Sequence, residues 1–167
     1  MPIPDALSTI EALQLTPHGE GGYFRRTYQS ALNVELSPDR NERALLSSIY
    51  YLLSNDAPIG HLHVNRSDII HFYHSGAPIR YTLVSPTGAF SQVILGNDLS
   101  KGQQPQLLAP GNWWKTSELL EGEADYGLIS EAVSPAFEYE DMRFISKADV
   151  REAYPNLLSR LETFCRE

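Results

Sequence analysis

The sequence predicts an all-β fold bracketed by short helices, and three observations carry that reading. From residue 59 to residue 144 the chain is a succession of short strand-like runs broken by turn residues. No long helical pattern lies between them, as a parallel α/β sheet would require, and apolar residues at helical spacing are confined to the two ends. An antiparallel sandwich or barrel satisfies all three.

At the N-terminus Pro4 suits a first helical turn, and Leu7, Ile10 and Leu13 form one apolar stripe, so a helix is expected over about 4–14, ending by Thr16-Pro17. Next, Gly21-Gly22 permits a tight approach or positive φ ahead of the strand Tyr23–Tyr28. His18 and Glu20, two residues apart, either form an imidazole–carboxylate pair or leave Glu20 to anchor a turn. After the polar loop Asn33–Asn41, Ala44–Leu53 is apolar on both faces, as a buried strand would be, and Ser54–Pro58 turns. Strand-like runs follow at Ile59–Val64, Ile69–His74, Ile79–Val84, Phe90–Leu95, Gln106–Leu108, Trp113–Ser117, Tyr126–Val133 and Met142–Phe144. Helical spacing returns with Val150, Leu157, Leu158 and Leu161. The reading is a single domain over 1–167: the first helix, a β core over about 22–145, and C-terminal helices over about 147–165.

With 42% hydrophobic residues the chain can bury one sizeable core. A net charge of -8 argues against a nucleic-acid partner, since phosphate binding needs clustered Lys and Arg. No apolar run is long enough to cross a bilayer, and the first residues carry Asp5 and Glu11 but no basic residue, unlike a signal peptide; a cytoplasmic protein with no membrane partner is expected. Cys165 is the one cysteine, so no intrachain disulfide or thiolate cluster exists.

Candidate chemistry concentrates in Ile59–Gly76, which holds four of the five histidines: His61, His63, His71 and His74. If the segment is a hairpin, period-2 alternation turns His61 and His63 to one wall, and His71 can share their cavity, while His74 sits at a turn on the other face. A three-histidine metal site lacks a carboxylate on the return strand, where Ile69 stands, and a later histidine; no metal and no cofactor is therefore expected. Metal-free chemistry fits the residues better: a neutral imidazole as base, with a strand tyrosine such as Tyr73 as proton donor. Of Trp113 and Trp114, after the turn Pro110-Gly111, one ring points inward and the other outward.

Taken together, the stretches Pro17–Arg25, Ser47–Leu53, His61–Ile79, Leu95–Leu99, Gln104–Trp114 and Val133–Phe144 resemble, in order and over nearly the whole chain, the cupin-like family called domain of unknown function 985, or cupin-5. The resemblance implies a double-stranded β-helix, the cupin jelly-roll barrel, and a homodimer, with no agreed reaction. Many cupins hold a metal on two motifs. Laid on this chain, their first histidine falls on His63, the second on Asn65, the glutamate on Ile69 and the later histidine on Trp114. Only His63 survives. Closer relatives carry Glu, Trp and His where this chain has Ile69, His71 and Phe72.

The functional reading is a protein that binds a small polar or sugar-like molecule in the barrel and acts as a metal-independent isomerase or epimerase. His63, His71 and Tyr73 are the candidate catalytic residues, and His18, Glu20, His61, Asp68, Trp113 and Trp114 the candidate ligand contacts. The alternatives are a binding module using the same contacts without catalysis, and a metal-dependent oxygenase or hydrolase.

Overall fold

The computed structural model describes residues 5–166. Helix α1 (Ala6–Leu13) is followed by β1 (Thr16–Pro17), β2 (Tyr23–Gln29), β3 (Asn33–Glu35), β4 (Glu42–Ala44), β5 (Ser47–Ser54), β6 (Ile59–Asn65) and β7 (Asp68–Gly76). Then come β8 (Ile79–Val84), β9 (Phe90–Leu95), β10 (Gln106–Ala109), β11 (Trp114–Leu119), β12 (Tyr126–Ser134), β13 (Met142–Phe144), α2 (Lys147–Ala153) and α3 (Leu158–Leu161). The helix start expected at Pro4 lies outside the described residues. Within them Asp5 is the N-cap of α1, its carboxylate accepting from the Ser8 amide at 2.7 Å.

Two antiparallel sheets face each other. One runs β1-β2-β5-β12-β7-β10 and the other β13-β6-β11-β8-β9, the jelly-roll arrangement of a cupin barrel. Alternation along the strands fills the space between them with Tyr51, Leu53, Ile79, Tyr81, Leu83, Leu95, Leu107 and Ile129. Outside, the five-stranded sheet packs Leu62 and Val84 against Val150, Leu157 and Leu161 of the C-terminal helical segment. The six-stranded sheet packs Leu52 and Leu128 against Ala6 and Leu15. This second layer explains why Ala44–Leu53 is apolar on both faces: Tyr51 and Leu53 look into the barrel and Leu52 looks out at α1. No helix among the described residues is long and apolar enough to cross a membrane.

Two departures from simple alternation matter for the site. The polar loop expected at Asn33–Asn41 partly forms a ladder, Asn33–Glu35 paired with Glu42–Ala44, which has no apolar periodicity to announce it. More consequentially, Lys115 pairs with His63 while Ser117 pairs with Gly60, so β6 spends three steps where β11 spends two. That bulge breaks the period-2 rule. Gly60 and His63 both face the barrel interior, Leu62 faces out, and His61 is displaced from the wall it was expected to share with His63.

Candidate functional site

The barrel encloses a cavity of about 350 Å³ at one end, a size that suits a small molecule. Phe24, Ile49, Ile69 and Val133 form its apolar walls, with Phe137 and Tyr139 after them in the chain; its polar lining includes His18, Glu20, Arg26, His63, Asn65, Lys115 and Glu131. Cross-strand register brings these groups in. Lys115 stands opposite His63 on the β6–β11 ladder, and Glu131 stands opposite His71 on the β7–β12 ladder of the facing sheet.

Glu20 arrives on the loop between β1 and β2, which is pinned at each peptide. The Glu20 amide donates to His18 Nδ1 at 2.9 Å, the His61 amide donates to the Glu20 carbonyl at 2.6 Å, and the Tyr51 hydroxyl donates to the Gly21 carbonyl at 2.9 Å. Gly21 and Gly22 sit at φ +100 and +68, and a Cβ on Gly21 would collide with the Ile59 carbonyl. Only glycine lets the loop lie this close to β6. Of the two sequence readings of Glu20, the structure combines parts of both: its backbone organises the turn, while its carboxyl reaches the cavity.

The hydrogen bonds fix the tautomers. His18 Nδ1 accepts from the Glu20 amide, so its proton lies on Nε2. His63 Nδ1 donates to the His61 carbonyl at 2.7 Å, which leaves the Nε2 lone pair facing Glu20 Oε2 at 3.4 Å. Two acceptors do not approach in this way unless one carries a proton. Burial raises the Glu20 carboxyl above its ordinary range, opposed by His18 and Lys115. Burial, together with Lys115, drives His63 down to about 3. Both directions favour the uncharged forms of the two groups.

A second cluster runs from the cavity wall, at Lys115 and Glu131, to His71 behind it. Lys115 Nζ is 3.0 Å from His71 Nε2 and 3.6 Å from Glu131 Oε1, and His71 Nε2 is 3.2 Å from the same carboxylate oxygen. Burial pushes the Glu131 carboxyl up, but Lys115 and His71 outweigh it, and Glu131 is held below the ordinary carboxylate range. Burial first and Lys115 second lower His71. His71 is fully enclosed, with the Tyr81 ring at 4.6 Å, and does not line the cavity.

The structure thus brings together His18, Glu20 and His63 from the sequence-predicted set, with His71 one layer behind. The others fall elsewhere. Tyr73 points toward the opposite end of the barrel, beyond the His71–Tyr81 layer, and bonds the Gly76 carbonyl at 2.5 Å. His61, shifted by the bulge, lines a separate surface hollow with Lys147 and Cys165. Asp68 is exposed, its carboxylate accepting from the Gly111 amide at 2.7 Å. Trp113 packs against the barrel core beside a small void next to the cavity, whereas Trp114 faces out and stacks edge-on with Tyr154 at 4.9 Å. His74 faces out, bonded to Ser130. Lys115 and Glu131 escaped the sequence reading although a signal existed. Glu131 alternates with the inward Ile129 and Val133, and Lys115 shares a face with Trp113.

The donor set does not suit a cupin metal. Asn65 and Ile69 occupy two of the ligand positions, Trp114 at a third turns away, and the inward residue beside it is the cationic Lys115. Among the described residues no group of three or more His, Cys, Asp or Glu side chains is arranged to hold a metal ion.

Comparison with known proteins agrees with this architecture. The family model described as Cupin_5, cupin superfamily (DUF985), matches residues 8–145. The uncharacterized protein YML079W of Saccharomyces cerevisiae is 37% identical over 164 residues, covering 89% of this chain and 81% of that protein. A hypothetical protein from Leishmania major is 29% identical, with a TM-score of 0.91 over 98% of this chain and 100% of that one. Oxalate decarboxylase from Bacillus subtilis shares the fold at 16% identity, with a TM-score of 0.54 over 87% of this chain and 36% of that one.

Proposed function

The chain belongs to the Cupin_5 (DUF985) family of the cupin superfamily, and from that footing we propose that it binds a small polar molecule in the barrel cavity and moves a proton on it without a metal. The observation that carries the reading is the Glu20–His63 pair, two buried groups 3.4 Å apart at the cavity, which we read as holding one proton between them. Glu20 gives that proton to a basic atom of the ligand, and the resulting carboxylate, stabilised by Lys115, takes a proton back from carbon. His63 holds the carboxyl in place through its own bond to the His61 carbonyl. One proton carrier on one face serves an isomerisation. Epimerisation needs a second donor from the opposite face, and Tyr73, the phenol expected there, lies at the other end of the barrel.

The test is solvent-deuterium incorporation into small α-hydroxycarbonyl compounds, followed by NMR. The wild type is expected to exchange a carbon-bound hydrogen, and Glu20→Gln and His63→Ala to slow this by about a hundredfold or more. Undiminished exchange in Glu20→Gln contradicts the reading. Saturable binding with no exchange at all makes the protein a binding module instead.

A further inference from the structure

The polar groups that line the cavity and keep free bonding capacity are nearly all donors. Asn65 is buried, and its Oδ1 accepts from the Ser67 amide at 2.9 Å, which fixes the orientation of the side-chain amide. Its Nδ2 is left buried with no protein partner among the described residues. Asn65 borders both the cavity and the small void beside it, which puts this buried N–H₂ group at the wall of the place a ligand occupies. A buried amide without an acceptor loses its bonds to water and gains none in return, and a native site carries such a group when something else completes it. Lys115 adds an ammonium to the same lining, and His18 carries its ring proton on Nε2. Arg26 adds a guanidinium at the rim; it donates to Gln29 and to the Phe137 carbonyl and has no acidic partner among the described residues.

The two carboxylates in the lining are already committed. Glu131 takes Lys115 and His71, and Glu20 faces His63. In a chain of net charge -8, the cavity therefore presents positive charge and open N–H groups. We infer that the ligand is a small organic oxyanion, whose carboxylate or phosphate oxygens take Asn65 Nδ2 and Lys115 Nζ, with Arg26 at the entrance. This rests on the proposed use of the cavity and narrows its substrate from polar molecules to anionic ones.

The experiment is a calorimetric titration of the purified full-length protein with lactate, glycerol 3-phosphate, inorganic phosphate and, as an uncharged isostere, lactamide. Lactate or glycerol 3-phosphate is expected to bind at least tenfold more tightly than lactamide, and which of the two wins names the oxyanion. Asn65→Asp keeps the acceptor for the Ser67 amide but replaces the open donor with a negative oxygen, and it should weaken that binding at least tenfold; Lys115→Met should do the same. Lys101→Met, an exposed lysine outside the cavity lining, should bind like the wild type. Circular dichroism confirms folding of each variant. Equal affinity for lactamide, no binding of any of the anions, or unchanged affinity in a folded Asn65→Asp protein overturns the proposal. Anion binding without deuterium exchange refutes only the proton-transfer reading, and exchange on uncharged substrates alone refutes only this one.

Discussion

Two buried ionic clusters in this protein each set a carboxylate against two nitrogen bases, to different ends. At the edge of the barrel, Asp141 is clamped by two arginines. Its Oδ2 accepts from Arg43 Nε at 2.8 Å and Arg40 Nη2 at 3.2 Å, and its Oδ1 from Arg40 Nε and Arg43 Nη2 at 3.3 Å each. Every carboxylate position is used, and the clamp ties the β3–β4 excursion to the segment before β13. Inside the barrel, Lys115, Glu131 and His71 meet pairwise at 3.0, 3.2 and 3.6 Å, and the lining beside them ends in an amide with no acceptor among the described residues. A saturated cluster holds the fold, whereas one with donors to spare awaits a ligand.

The contrast is open to attack by mutation. The largest expected loss of stability comes from Asp141→Ala, which strands two arginines, one of them buried; a urea midpoint should report about 3 kcal/mol or more, with ligand affinity unchanged. Glu131→Gln should cost less stability, about 1–3 kcal/mol, and should also disturb binding because it releases Lys115 and His71. If Asp141→Ala weakened binding as much as Glu131→Gln does, the division between the two clusters would fail. Acid should act selectively on the interior. His63 is depressed from its ordinary 6.5 to about 3, so the unfolded chain binds more protons between those values. Its contribution is complete above pH 6.5 and is lost as pH falls toward 3. A His63→Gln variant should show a flatter stability profile across that window, and an unchanged slope would remove the neutral imidazole from the account. The smallest effect is expected at His74→Ala, on the outer face, within about 0.5 kcal/mol and without consequence for binding.

Much of the fold was legible because its signals are local. Runs such as Ile79–Val84 and Phe90–Leu95 appear as strands with the bounds their alternation and flanking turns imply. The site was legible only where alternation survives. His63 lies in the cavity as its register suggests, but His61 does not, because a bulge set by pairing with β11 shifts it, and Gly60 alone hints at that bulge in the sequence of β6. Tyr73 illustrates a different limit. It shares a strand face with Ile69 and His71, yet the cavity occupies only the Ile69 end, and how far along a barrel a void extends is a property of the packed whole. Glu131 was hidden by its neighbours: a single carboxylate in Tyr126–Ser134 gains meaning only when Lys115 and His71 are found against it.

The central claim, that one proton is shared between neutral Glu20 and neutral His63, is tested most directly by NMR of protein labelled with ¹³C at glutamate carboxyls and ¹⁵N in histidine rings. At neutral pH the account expects the Glu20 carboxyl to resonate as a protonated acid and His63 as a neutral ring protonated on Nδ1. An ionised Glu20 facing an imidazolium at His63 would contradict it.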